Sequence, residues 1–273
     1  MISDLLIIGA GFSLSLALRS YRHPVLHRIG TFGMLFGTSF LVGWLLLESV
    51  WIGVGLAATW LLVPWLEILT RARKLRLPEE RALRHRSSPN EEAFPNLHEL
   101  TDEIEAANFE PVDDLGWDHD GHSQFYRLFY QPQSGTEAAI CLVEQGDLAF
   151  FYLAITSRAR NGSTYMTWNY PFSYGLELDP ALKLNRAGGG IDFQGMLADH
   201  RLFLDRERVG VDAIVPQEPE QLGEQLEADM RRQIAHNLRC GVLKRDGEKM
   251  IRYSARGLLF LWLQFLRDLI RLS

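Results

Sequence analysis

The residue types most able to do chemistry in this chain lie close together in the stretch Trp117-Asp-His-Asp-Gly-His122. It places His119 and His122 beside Asp118 and Asp120, and imidazole and carboxylate groups are common ligands of Zn²⁺ and iron. A metal site normally combines such a close pair with ligands from another element, whereas Asp-Gly is a common turn dipeptide. We therefore interpret the stretch as a solvated β-turn, and keep a metal-dependent hydrolase that uses it as the alternative.

A second candidate is the segment 165–174, in which half of the residues are aromatic: Tyr165, Trp168, Tyr170, Phe172 and Tyr174. Tyr and Trp combine a large apolar ring with a polar tip, which suits ligand pockets and protein interfaces. The same pattern also fits rings divided between the core and the rim of a sheet. The segment is our candidate recognition surface, for a protein partner or a small ligand.

Motifs that signal cofactor binding or nucleophilic catalysis are absent from the sequence. It holds no G-x-S-x-G, C-x-x-C or H-E-x-x-H pattern, and Gly188-Gly-Gly190 lacks the Lys and Ser/Thr of a phosphate-binding loop. We predict no cofactor and no catalytic residue, and favour a protein that is not an enzyme. Cys141 and Cys240 are too few for a disulfide framework, which indicates reduced cysteines in a cytoplasmic compartment.

Charge is distributed unevenly along the chain. Residues 87–230 hold 26 Asp and Glu against 8 Lys and Arg, whereas residues 231–271 hold 10 basic and 3 acidic residues. A strongly acidic surface repels the phosphates of nucleic acid. The sequence therefore predicts no nucleic-acid partner.

The first 70 residues have the composition of a membrane anchor. The 38 residues from Ile29 to Leu66 contain one charged side chain, Glu48, and are too long for a single crossing, which takes about 20 residues. With the shorter apolar stretch near the N-terminus they predict three spans, over residues 3–19, 29–47 and 49–68. Glu48 then lies at the turn of a tight helical hairpin, and the lipid bilayer is the first predicted partner.

Basic residues flank the long apolar run on both sides. Arg19, Arg22 and Arg28 precede it, and seven Lys or Arg follow it between residues 71 and 86. Lys and Arg concentrate on the cytoplasmic side of membrane proteins, so two crossings of the run satisfy both clusters at once. The sequence predicts a multi-pass protein of the inner (cytoplasmic) membrane with its soluble domain in the cytoplasm.

Glycines mark one face of the second predicted span. Gly30, Gly33 and Gly37 share this face, and the last two have the GxxxG spacing. Small residues at this spacing let helix backbones approach closely, although glycine is also frequent in membrane helices in general. The pattern predicts helix packing, either within the chain or between copies of it.

A polar, proline-containing linker at residues 71–96 separates the anchor from a domain at residues 97–273. Helical periodicity begins at Leu97, and Asn161-Gly162 is a strong hairpin signal. Short β-type runs at 125–130, 138–143, 148–155 and 163–168 predict an antiparallel sheet, and helices are predicted at 193–203, 220–238 and 254–272. The fold class is thus N-terminal transmembrane α-helices followed by a cytoplasmic α+β domain, with its helices packed on one face of the sheet.

The last predicted helix, 254–272, is amphipathic, with a wide apolar arc and a narrow polar stripe. The aromatic and basic groups in and around it suit the anionic membrane interface: Arg252, Arg256, Trp262, Arg267 and Arg271. A core helix that closes the α+β domain would show the same pattern. The sequence leaves both interpretations open.

These features together predict a membrane-tethered cytoplasmic module for binding, sensing or scaffolding. The membrane-bound hydrolase acting through the 117–122 loop is the alternative from another class. A small transport subunit is a third hypothesis, and the scarcity of polar side chains in the predicted spans disfavours it.

Overall fold

The computed structural model describes residues 2–20, 24–89, 94–146, 148–188 and 192–272. The chain divides into two compact units. The first comprises Met1–Leu75, Phe172–Leu176 and Arg252–Ser273, and the second comprises Arg76–Pro171 and Glu177–Ile251. The first unit therefore takes in the C-terminal helix as well as the apolar N-terminal region.

Three apolar helices dominate the first unit, and by length and composition each could cross a membrane. The first is α1 (Ile2–Arg19). The second, Val25–Leu46, is continuous and combines α2 (Pro24–Phe32), π-helical turns at Gly33–Gly37 and Val42–Leu46, and α3 (Thr38–Leu41). The third, Val50–Ala72, consists of α4 (Val50–Glu67) and a π-helical turn at Ile68–Ala72. The prediction of three apolar helices of membrane-spanning length is confirmed.

A tight turn joins the second and third apolar helices. Glu48 lies in it with a φ of 52°, and the Ser49 side chain caps α4 by accepting a hydrogen bond from the N–H of Ile52 at 3.4 Å. Gly43 and Gly53 lie very close together beside the turn: a Cβ added to Gly43 would lie only 2.5 Å from the Gly53 Cα. The one carboxylate of the long apolar run is thus a turn residue.

The C-terminal helix α8 (Ala255–Leu272) packs within the first unit. The indole N–H of Trp262 donates to the Leu61 carbonyl at 2.7 Å, and the Trp262 ring lies 6.2 Å from the Trp65 ring. Buried Asp268 accepts hydrogen bonds from the N–H and the hydroxyl of Ser173, both at 2.7 Å. The sequence left open an interfacial helix or a core helix of the α+β domain, and neither interpretation included this contact with the third apolar helix, which lies far away in sequence.

The second unit is an α+β fold built on a seven-stranded sheet, in which the strands lie side by side in their order along the chain. Neighbouring strands are antiparallel except the last two, which are parallel. The strands are β2 (Arg84–His85), β3 (Glu110–His119), β4 (His122–Gln131), β5 (Thr136–Gln145), β6 (Leu148–Arg158), β7 (Thr164–Trp168) and β8 (Leu182–Arg186). The predicted antiparallel sheet is therefore confirmed, with the Asn161-Gly162 turn between β6 and β7.

Residues predicted to be a linker pair with distant strands. A second sheet has the order β1-β10-β9 and contains β1 (Leu77–Pro78), β9 (Leu243–Arg245) and β10 (Met250–Tyr253). Leu77 pairs with Ile251, and Arg84 of β2 pairs with Gly116 of β3. These pairings depend on partners far away in sequence, so local composition gave no sign of them.

Helices cover both faces of the large sheet. Phe125 and Phe129 of β4 pack in one core with residues of α5 (Leu97–Ala106) and α6 (Phe193–Arg206). Tyr126 and Leu128 point to the opposite face, because side chains alternate along a strand, and pack in a second core with residues of α7 (Leu222–Arg239). The expectation that all helices pack on one face is wrong, since β4 is apolar on both sides.

Candidate functional site

The Asp-His-Asp-Gly-His stretch forms the tip of the β3–β4 hairpin. His119 pairs with His122 across the turn, where Asp120 and Gly121 have φ values of 46° and 75°. Partial burial lowers the pKa of His122, and Asp120 opposes this shift. The exposed Asp118 bonds to Arg86 at 2.8 Å. Within the described residues, no three of these four side chains bring ligand atoms to within 4.8 Å of one another.

The aromatic segment 165–174 divides between two environments. Tyr165 and Trp168 are buried on β7, and the Tyr165 ring meets Phe203 edge-on at 5.9 Å. Trp168 stacks on Tyr170 at 5.0 Å, and Tyr152 meets both rings edge-on. Phe172 and Tyr174 belong to the first unit. Tyr165 and Trp168 thus act as packing residues of the sheet.

Two of the three predicted packing glycines in the second helix face α1. A Cβ on Gly30 would lie 2.5 Å from both the Arg19 nitrogen and the Ser15 carbonyl oxygen, and one on Gly33 would lie 2.7 Å from the Ser15 hydroxyl. A Cβ on Gly37 would meet nothing within 4 Å. Close packing at Gly30 and Gly33 is therefore within the chain.

The basic residues in and just before the C-terminal helix differ in exposure, and Arg252 belongs to β10 rather than to the helix. Arg256 and Arg267 are exposed, Arg252 is half-buried, and Arg267 donates to Gln264 at 3.4 Å. Trp262 is engaged with the third apolar helix. The Arg271 side chain and the residues Gly189–Gly190 of the glycine run lie outside the part of the chain that the structure describes.

A cavity that no sequence motif indicated lies beside β3 and the start of α7. Its volume is about 520 Å³, within the range of small-ligand sites. Part of its wall is apolar: Leu83, Pro111, Val112, Leu115, Tyr130 and Pro219. Five acidic residues also line it: Glu110, Asp113, Glu220, Glu224 and Glu227. No Lys, Arg or His is among the described residues that line it.

Contacts between distant segments build this acidic cavity. The Glu227 carboxylate accepts a hydrogen bond from the Leu83 N–H, and the Tyr130 hydroxyl accepts one from the Gln217 N–H at 3.0 Å. A Cβ on Gly223 would lie 2.7 Å from the Leu115 Cδ1, so a larger residue there would force the Leu115 side chain to shift where α7 meets β3. The lining residues come from several separate segments of the chain, which explains why no linear motif revealed them.

A group of metal-ligand side chains does converge, at the end of α7. One potential ligand atom from each of Glu177, His236 and Cys240 lies within 4.8 Å of the others. His236 and Cys240 are four residues apart and share a helix face. That spacing was the one signal in the sequence, and Glu177 joins it only through the fold.

No family model, no curated protein and no solved structure matches this chain. The assignment of function therefore rests on the geometry of the chain itself.

Proposed function

We propose that the chain is a multi-pass protein of the cytoplasmic membrane whose second unit is a cytoplasmic module that binds a cationic ligand. The observation that carries this proposal is the acidic cavity, with five carboxylates around about 520 Å³. The three apolar helices support the membrane association. The two clusters of basic residues that flank the long apolar run support the cytoplasmic side, by the positive-inside rule.

The chemistry of the cavity defines the class of ligand. Its carboxylates favour ammonium or guanidinium groups, and its apolar wall favours a hydrocarbon or ring next to the charge. Residues 87–230 carry 26 acidic against 8 basic residues, so the surrounding field attracts a cation from a distance. A basic, partly apolar segment of a protein partner fits both features.

The hairpin at residues 117–122 gives no geometric support to the hydrolase alternative. The Asp118 carboxylate accepts a hydrogen bond from Arg86, and the two histidines flank a turn of only two residues. The apolar helices offer nothing that favours a transport subunit. Binding of a cationic ligand is therefore the function that the geometry supports best.

The test uses the full chain in detergent and a fluorescent peptide of alternating Lys and Leu. Glu220 and Glu224 line the cavity and are exposed, so their joint replacement, Glu220→Gln with Glu224→Gln, removes two charges at little cost to the fold. We expect fluorescence anisotropy to show affinity lower by about tenfold, or about 1.4 kcal/mol for two solvated charge contacts.

A matched control distinguishes the effect of charges in the cavity from the effect of the net charge of the protein. Glu207→Gln with Glu248→Gln removes the same charge at exposed positions outside the cavity lining, and we expect less than about a twofold change, since a solvent-exposed charge that makes no contact with the peptide is screened by salt. An equal loss in both double variants would sink the proposal, because the peptide would then sense only net charge.

A further inference from the structure

The last turn of α7 and the residue Glu177 bring together three different metal-ligand groups. A carboxylate, an imidazole and a thiol each place one potential ligand atom within 4.8 Å of the other two. Thiolate and imidazole favour borderline and soft divalent ions over Mg²⁺ or Ca²⁺. We propose that Glu177, His236 and Cys240 bind a divalent transition-metal ion, with Zn²⁺ as the best match to this ligand set. The proposal is independent of the binding site for a cationic ligand.

Hydrogen bonds to two buried side chains fix the backbone of Glu177 beside the helix. Its N–H donates to the Asn237 amide oxygen at 2.9 Å. Its carbonyl accepts from the side-chain amides of both Gln233 and Asn237. Gln233 and Asn237 are both buried; Gln233 lies one turn before His236, and Asn237 lies three residues before Cys240. The position of Glu177 is therefore set by the helix that carries His236 and ends next to Cys240, as a preorganised metal site requires.

The surroundings of His236 match those of a metal-bound imidazole. Its Nδ1 lies 3.9 Å from a carboxylate oxygen of buried Asp179. Asp179 is itself held, because its N–H donates to Gln233 and its other oxygen accepts from the Ala181 N–H at 2.9 Å. The His236 Nε2 is buried and has no hydrogen-bond partner in the described part of the chain. Metal-binding histidines usually direct one ring nitrogen to a carboxylate and bind with the other.

The distances fit a tetrahedral ion after a small adjustment. Bond lengths of about 2.0 Å to nitrogen and about 2.3 Å to sulfur imply ligand separations of about 3.5 Å. The three ligand atoms, now within 4.8 Å of one another, would close by about 1 Å, which side-chain rotation can supply. Three protein ligands leave the fourth position to water or to a ligand from outside.

The first test measures metal binding by the full-length protein in detergent. With Co²⁺ as the probe, we expect one bound ion with a thiolate-to-metal charge-transfer band, and Cys240→Ser should abolish that band. In competition with a chromogenic chelator, His236→Gln and Glu177→Gln should each weaken Zn²⁺ binding by at least about tenfold. The controls Cys141→Ala and His122→Gln remove the other cysteine and a histidine of the 117–122 hairpin, and should leave Zn²⁺ affinity unchanged.

A second measurement needs no variant and so avoids any effect on folding. Cys240 is half-buried, whereas Cys141 is buried and has its pKa raised to about 12 by that burial. A thiol reagent such as Ellman's reagent should therefore label Cys240 first in the folded protein. Saturating Zn²⁺ should block that labelling, while Mg²⁺ should not.

Two outcomes would overturn the metal site. One is wild-type protein that takes up no Co²⁺ or Zn²⁺ and whose Cys240 stays reactive in Zn²⁺. The other is an unchanged affinity in Cys240→Ser, His236→Gln and Glu177→Gln. The Lys-Leu peptide assay is to be run without added metal, so its success or failure leaves the result for the metal site unaffected.

Discussion

His200 is a fully buried histidine held between two hydroxyl groups. Its Nε2 lies 3.0 Å from the Ser157 hydroxyl and its Nδ1 lies 2.9 Å from the Thr167 hydroxyl. A serine beside a histidine resembles a nucleophile with its base, but here a threonine takes the place of the orienting carboxylate, and the serine is as buried as the histidine. The three side chains therefore form a hydrogen-bonded polar network in the core. We expect this network to affect the stability of the fold and not to catalyse a reaction.

The protonation of His200 predicts loss of stability in acid. Burial, assisted by Arg201, lowers its pKa from an ordinary value of 6.5 to about 4. Between these two values the unfolded chain binds more protons than the folded one, so stability falls as the pH drops from about 6.5 towards 4. At pH 5 the loss should reach about 2 kcal/mol, at about 1.4 kcal/mol per unit of pKa. Thermal unfolding of the detergent-solubilised chain at pH 7 and pH 5, followed by tryptophan fluorescence, measures it.

The variant His200→Gln provides the control for that measurement. It removes the titrating group and keeps a polar side chain that can hydrogen-bond to Ser157 and Thr167. We expect a lower melting temperature at pH 7 but a smaller drop from pH 7 to pH 5 than in the wild type. If the drop is equally large in both proteins, His200 is not its source.

At the scale of elements, close contact between α1 and the second apolar helix depends on Gly30. A Cβ there would lie 2.5 Å from two backbone atoms of α1, which cannot move aside as a flexible side chain could. Gly30→Ala should therefore destabilise the first unit by about 1–3 kcal/mol, the usual cost of overpacking. Reversible unfolding in mixed detergent micelles, titrated with sodium dodecyl sulfate, measures the difference.

Gly37→Ala is the matched control on the same helix. Nothing lies within 4 Å of the Cβ that it adds, so its effect should stay within about 0.5 kcal/mol, as for an uncrowded site. Equal effects of the two substitutions would contradict the close approach at Gly30. A large effect of Gly37→Ala alone would instead point to packing between copies of the chain.

Elements with strong local signals were predictable, and elements made by distant pairing were not. The helix predicted over residues 193–203 is α6 (Phe193–Arg206), because its apolar spacing and its Asp192 cap are local features. Strand β3 went unseen, since Pro111, Asp113 and Asp114 interrupt its apolar alternation and its register shifts at that point. Strand β1 has only two residues and exists through its pairing with β10.

At the scale of the whole molecule, the orientation in the membrane is open to a direct test. A phosphatase that is active only outside the cytoplasm should be inactive when fused after Arg86, and active when fused after Glu48 at the hairpin turn. The physical reason is the cost of moving the flanking Lys and Arg across the membrane, which keeps both basic clusters in the cytoplasm. Enzyme activity in whole cells, normalised to the amount of fusion protein, is the measurement.

Green fluorescent protein at the same two positions gives the complementary readout. It should fluoresce after Arg86 and stay dark after Glu48 when the fusion is exported in unfolded form. Phosphatase activity after Arg86 would place the second unit outside the cytoplasm and contradict the proposed localisation. The acidic cavity and the metal site would then face different partners, but their own tests would stand.

By itself the sequence determined three apolar helices, the turn at Glu48 and an antiparallel sheet accompanied by helices, but not that the helices lie on both faces of the sheet. Each of these follows from local patterns, since helix and strand periodicity and the length of an apolar run are properties of neighbouring residues. Only the tertiary structure brought together the residues of the two proposed sites. Five carboxylates meet in one cavity, and Glu177 meets His236 and Cys240, because the fold joins segments that are far apart in the chain. Such convergence depends on long-range packing, which no window of sequence contains.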